Sequence, residues 1–148
     1  MNHVEKAGDL FKSGYNCAQA VLGAFEDVTG LDGVTAQRLA SSFGGGMGRL
    51  REVCGAVSGM FMVAGLVAGY DSESAPEAKN EHYALIRRLA ASFNEKAGAI
   101  RCADLLGLEK PEIGDESKIV STAGRKKRPC GELVMIAAGI LDEWLAQK

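Results

Sequence analysis

The chain contains no C-x-x-C pair and only two histidines, one tryptophan and three prolines in 148 residues. The missing C-x-x-C excludes the zinc-ribbon, thioredoxin and bacterial ferredoxin spacings, and the missing C-x-x-C-H excludes covalent haem attachment. Sustained apolar/polar alternation of period two is also lacking, which argues against a sheet. No G-x-G-x-x-G occurs, and "GGGMG", Gly44 to Gly48, lacks the G-K-[ST] that completes a phosphate loop. A formal net charge of −2 gives no general affinity for nucleic acid or anionic lipid. The basic run "GRKKR", Gly124 to Arg128, reads as solvated surface. No Ser-His-Asp set or carboxylate pair can be argued from spacing, so no catalytic residue is assigned. His3 reads as a solvated terminal residue and His82 as a helix-surface residue.

The first residues, "MNHVEKAGDLFKSGYNC", carry Glu5, Lys6, Asp9 and Lys12 and no apolar signal core, so a cytoplasmic protein is expected. In that compartment four cysteines do not suggest a disulfide framework. They suggest metal ligands, redox thiols or small buried side chains.

What is abundant is glycine, nineteen residues, many of them inside apolar runs. With no linker or composition break, residues 1–148 read as one domain, an all-α bundle of about six helices. Apolar spacing predicts a helix from Val4 to Lys12, stopped by Gly14, and a second from Asn16 to Val28. A third runs from a Thr35 cap to Phe43, where the glycine cluster ends it. A glycine-rich helix then spans about Glu52 to Ala68, and a long amphipathic one Ala78 to Lys96. A short helix holds Cys102, Leu105 and Leu106. Residues Glu109 to Arg128 read as a polar loop before a last helix from Pro129 or Cys130 to about Ala146. Met47, Met60, Met62 and Met135 fall in apolar stretches and read as core filling.

The uncharged run from Val53 to Tyr70 is eighteen residues, at the lower limit of a bilayer crossing. Every other predicted helix is amphipathic, however, and a helix apolar all round is what the centre of a bundle requires. It is read as the central core helix, with no membrane span. Gly55 and Gly59 on it would let neighbouring backbones close in.

The cysteines carry the chemistry. Cys17, Cys54, Cys102 and Cys130 are separated by 37, 48 and 28 residues, so any common site must be assembled by packing. Each falls near a predicted helix start. Unpaired N–H groups there favour thiolate, which predicts lowered thiol pKa values.

The segments "GYNCAQAVL" (Gly14–Leu22), "GGGMGRLREVCGAVSG" (Gly44–Gly59), "RCADLLG" (Arg101–Gly107) and "PCGELV" (Pro129–Val134) resemble the C_GCAxxG_C_C family of redox-active proteins. The label spells GCAxxG, whereas this chain reads Cys54-Gly55-Ala56-Val57-Ser58-Gly59, with the cysteine ahead of the glycine. The resemblance implies redox or metal chemistry at Cys17, Cys54, Cys102 and Cys130, with electron transfer favoured.

Three readings follow. In the first, the cysteines converge and bind an iron–sulfur cluster or another thiophilic metal, Gly55 and Gly59 lie beside the cofactor, and an electron-transfer partner is needed. In the second, cysteine pairs cycle between dithiol and disulfide with a thiol partner and no metal. In the third, a non-catalytic helical binding module simply packs its cysteines. The sequence gives no oligomeric state.

Overall fold

A computed structural model describes residues 2–107 and 130–148. The protein is all-α, and six of its helices have seven or more residues among those described. Helix α1 is His3–Lys12, α2 Cys17–Ala24, α3 Glu26–Thr29 and α4 Gly33–Ala40. Helix α5 is Gly55–Ala68, α6 Pro76–Ala97, α7 Cys102–Leu106 and α8 Cys130–Ala146. The predicted polar loop Glu109–Arg128, with its basic run, lies outside the described residues.

Boundaries depart from the sequence reading where local chemistry intervenes. The helix expected from Asn16 to Val28 breaks at Phe25, whose φ of −108° and ψ of 25° separate α2 from α3. Asp32, not Thr35, caps α4, its carboxylate accepting from the Thr35 N–H at 2.9 Å. Ser41–Phe43 then tightens into a 3₁₀ turn. Helix α6 begins two residues early because Pro76 suits the first helical position. Met60 fills the core as expected, but Met47 and Met135 are exposed.

The core centres on α2 and the first ten residues of α5. Seven of the eight α2 residues are buried, and so are eight of the fourteen in α5, the rest lying mainly in its C-terminal turn. Glycine permits this pairing. A Cβ on Gly59 would lie 2.9 Å from the Ala18 carbonyl oxygen and 2.9 Å from Val21 Cβ, too close for any side chain. Helices α1 and α8 cover α2, while α6 packs on α5 and α8. Leu22, Phe25, Met60, Phe93, Leu133 and Leu141 are fully enclosed. Each such side chain contributes about 1.5–3 kcal/mol relative to exposure.

No helix among the described residues is long and apolar enough to cross a membrane. His3 is not a free terminal side chain. Its Nδ1 meets Asp142 Oδ1 at 2.7 Å, its Nε2 meets Asp27 Oδ1 at 2.9 Å, and its ring stacks on Phe25 at 4.1 Å. It ties the start of α1 to α3 and α8. His82 is half-buried, with Nδ1 enclosed and unbonded, so it is not a plain surface residue either.

Candidate redox centre

Each cysteine does sit at a helix start. Cys17, Cys102 and Cys130 open α2, α7 and α8, and Cys54 is the N-cap of α5. Asn16 fixes the first of them. Its side-chain oxygen accepts from the Gln19 N–H at 2.9 Å, and Gln19 Oε1 accepts from the Asn16 N–H at 3.0 Å, a reciprocal capping box. Asn16 Nδ2 also donates to the Ser41 carbonyl, tying the start of α2 to the turn before the glycine cluster.

The chain from 51 to 54 is strapped to the start of α7. Cys54 N–H donates to Ile100 O at 2.8 Å, Cys102 N–H to Glu52 O at 2.6 Å and Ala103 N–H to Arg51 O at 3.3 Å. Val53 and Arg101 thereby form an isolated antiparallel bridge. This strap places Cys54 and Cys102 side by side although 48 residues separate them.

The glycine cluster supplies the shape. Gly45, Gly46 and Gly48 have φ of 67°, 70° and 61°, and the left-handed run continues through Met47, Arg49 and Arg51. Each of those three non-glycine residues costs ~1–2 kcal/mol in this conformation, so packing must hold it in place. Gly46 is the tightest point. A Cβ there would lie 2.6 Å from Cys102 Cβ and 2.8 Å from Arg51 Cα.

The result is a cavity of about 470 Å³ lined by all four cysteines, together with Arg49 and Arg51. Among the described residues no Asp, Glu or His lines it. Gly55 lies in its wall, and a Cβ there would come 3.0 Å from Cys17 Cβ. Gly59 sits one turn further along, against α2 and outside the lining.

The sulfurs are thiols in this structure, with no disulfide among them. Cys17 and Cys130 hydrogen-bond to each other, which raises the Cys17 pKa well above the ordinary thiol range. Burial and the nearby charges of Cys130, Cys54 and Cys102 push it the same way. Burial pushes Cys54 up to about 12, although the Ala56 and Val57 N–H groups at the start of α5 pull it down. The lowered pKa values expected from the helix starts are therefore reversed at these two sites. The amides act in the predicted direction, but removal from water outweighs them.

Arg51 was not singled out by the sequence reading. It is 3% exposed, its Nη1 donates to Cys102 Sγ at 3.4 Å, and its Nε is buried without a partner. The available signal was an arginine between a glycine cluster and an uncharged run, three residues before a cysteine. No three His, Cys, Asp or Glu side chains among the described residues are gathered closely enough to hold one metal ion.

A family model, described as "Putative redox-active protein (C_GCAxxG_C_C)", matches residues 15–144 of the chain. No curated protein and no solved structure matches it significantly.

Proposed function

We propose, for a chain that belongs to the C_GCAxxG_C_C family, that the cysteine cavity is an electron-transfer centre holding an iron–sulfur cluster. The observation that carries this reading is the meeting of Cys17, Cys54, Cys102 and Cys130, each from a different segment, around one cavity. The donor set fits such a group. Cysteine thiolates are the usual cluster ligands, and a cluster spreads them over several metal atoms instead of gathering them about one ion. When bound, the cluster would supply reversible one-electron transfer.

The chain's own residues do the rest. Cys17, Cys54, Cys102 and Cys130 would be the ligands, giving up their protons as they bind. The buried positive charge of Arg51 offsets the negative charge of the thiolates. The missing side chain of Gly55 brings Cys17 to the cavity wall, while Gly59 acts at one remove by seating α5 on α2. Leu105, Leu106 and Leu133 keep part of the wall apolar. An electron-transfer partner is required, and a cytoplasmic setting suits the reduced thiols.

Replacing each cysteine in turn with alanine, followed by anaerobic reconstitution with iron and sulfide, tests this. All four variants should lose the visible chromophore of the wild type. A chromophore kept by three or more of them would overturn the reading.

One observation favours a second reading. Cys130 is the neighbour that most affects the Cys17 thiol and lines the same cavity, the proximity from which a dithiol–disulfide couple could form. That couple forms one S–S bond and passes two electrons and two protons to a disulfide-bearing partner, which is reduced to two thiols. Peptide mapping after oxidation with glutathione disulfide should find Cys17 joined to Cys130. Four unmodified thiols would exclude it.

A further inference from the structure

Arg51 is an expensive residue to place where it is. A guanidinium stays charged under all ordinary conditions, and an enclosed charge needs a partner. Arg51 is 97% enclosed, yet its hydrogen bond to Cys102 Sγ engages only Nη1, and Nε is left unbonded. Among the described residues no carboxylate lines the cavity to neutralise it. Its backbone is left-handed at φ 63°, and its carbonyl is pinned by the Ala103 N–H directly beyond Cys102. Gly46 is stripped of a side chain where it presses on both Cys102 Cβ and Arg51 Cα. Loop, strap and glycine thus register one cation against one sulfur.

We infer that Arg51 is a positioning residue for charge, whose guanidinium favours the reduced, more negative form of the cysteine centre and so raises its reduction potential. This rests on the cavity being a redox centre, as proposed above. Reduction adds one electron, and with it one unit of negative charge, to the centre, and the donor loses that electron. Net charge, hydrogen bonds to sulfur and exclusion of solvent set the potential of such centres. Arg51 supplies the first two at Cys102 and is itself shielded from water.

The test is a redox titration of the full-length reconstituted protein, with dithionite as the one-electron donor and visible absorbance as the readout. Wild type is compared with Arg51→Lys and Arg51→Met. The methionine variant should keep its iron and sulfide but titrate at a more negative potential, while the lysine variant stays near the wild type. An unshifted methionine variant overturns the inference. So does a lysine variant that moves as far as the methionine one, because shape and not charge would then be at work. If Arg51→Met does not fold, Arg51→Gln takes its place with the same expected shift. A wild type that carries no cluster defeats the cluster reading separately. The inference then fails as well, because a dithiol–disulfide couple takes up protons with its electrons and gains no charge for Arg51 to offset.

Discussion

Gly55 faces Cys17 so closely that a Cβ on the glycine would stand 3.0 Å from the cysteine's own Cβ. The same added atom would lie 3.0 Å from the Phe43 carbonyl and 3.1 Å from the Ala18 N–H nitrogen, so backbone as well as side chain would have to yield. Gly55→Ala should therefore destabilise the fold by about 1–3 kcal/mol, as overpacking does, and displace Cys17 from the cavity. Gly59→Ala should cost a similar amount, since it meets Ala18 and Val21, but leave the cavity's thiols in place. Denaturant melts with quantitative thiol labelling would separate the two. Equal labelling changes in both would contradict the geometry.

Asn16 should matter beyond its size. Its capping box fixes the first turn of α2, and Asn16→Ala should cost about 1 kcal/mol. Because Cys17 is the next residue, hydrogen exchange at Ala18–Ala20 should accelerate with it. Asn16→Asp, which keeps the capping oxygen, should restore most of the loss.

His3 gives the fold a mild pH dependence. Burial lowers its pKa, but hydrogen bonds and charge from Asp27 and Asp142 outweigh this and leave it raised. Its stabilising effect is therefore complete below the ordinary histidine pKa of about 6.5 and fades as pH rises through the higher folded value. The pKa of Asp27 is lowered, chiefly by its hydrogen bond to His3, so its share is present above about pH 4 and fades below that. With these groups partly exposed, the effect should stay within about 1 kcal/mol. His3→Gln should flatten the melting temperature between pH 6 and 8, and an unchanged slope would refute the bridge.

The cysteines act in the same direction as His3, but at higher pH, in the metal-free protein. Cys17 is raised and Cys54 lies at about 12, so the unfolded chain loses these protons first as pH rises. Stability contributed by the neutral thiols is complete below about pH 8.5 and is lost toward pH 12. Cys54→Ala should reduce the alkaline loss measured by denaturant titration at pH 7 and pH 10.5.

The sequence carried the helices and the cysteine positions because both rest on local chemistry. Apolar periodicity, glycine stops and the Asn16 cap act within one or two turns. The break at Phe25 and the capping of α4 by Asp32 were misread because several competent residues compete for each role, and tertiary contacts choose among them. The meeting of the cysteines depended on the strap between residues 51–54 and 100–103, which has no sequence pattern. Arg51 was hidden for the same reason. An arginine is normally solvated, and only the left-handed loop turns this one inward. The raised thiol pKa values also escaped the sequence reading, because helix starts are visible in the sequence and burial is not.

The most direct test of the account is the iron and acid-labile sulfide content of the wild-type protein after anaerobic reconstitution and removal of unbound metal. The account predicts a coloured protein with both elements in stoichiometric amounts and no thiol left to react with a small alkylating reagent. A colourless protein without iron or sulfide, with all four thiols titrating, would contradict it.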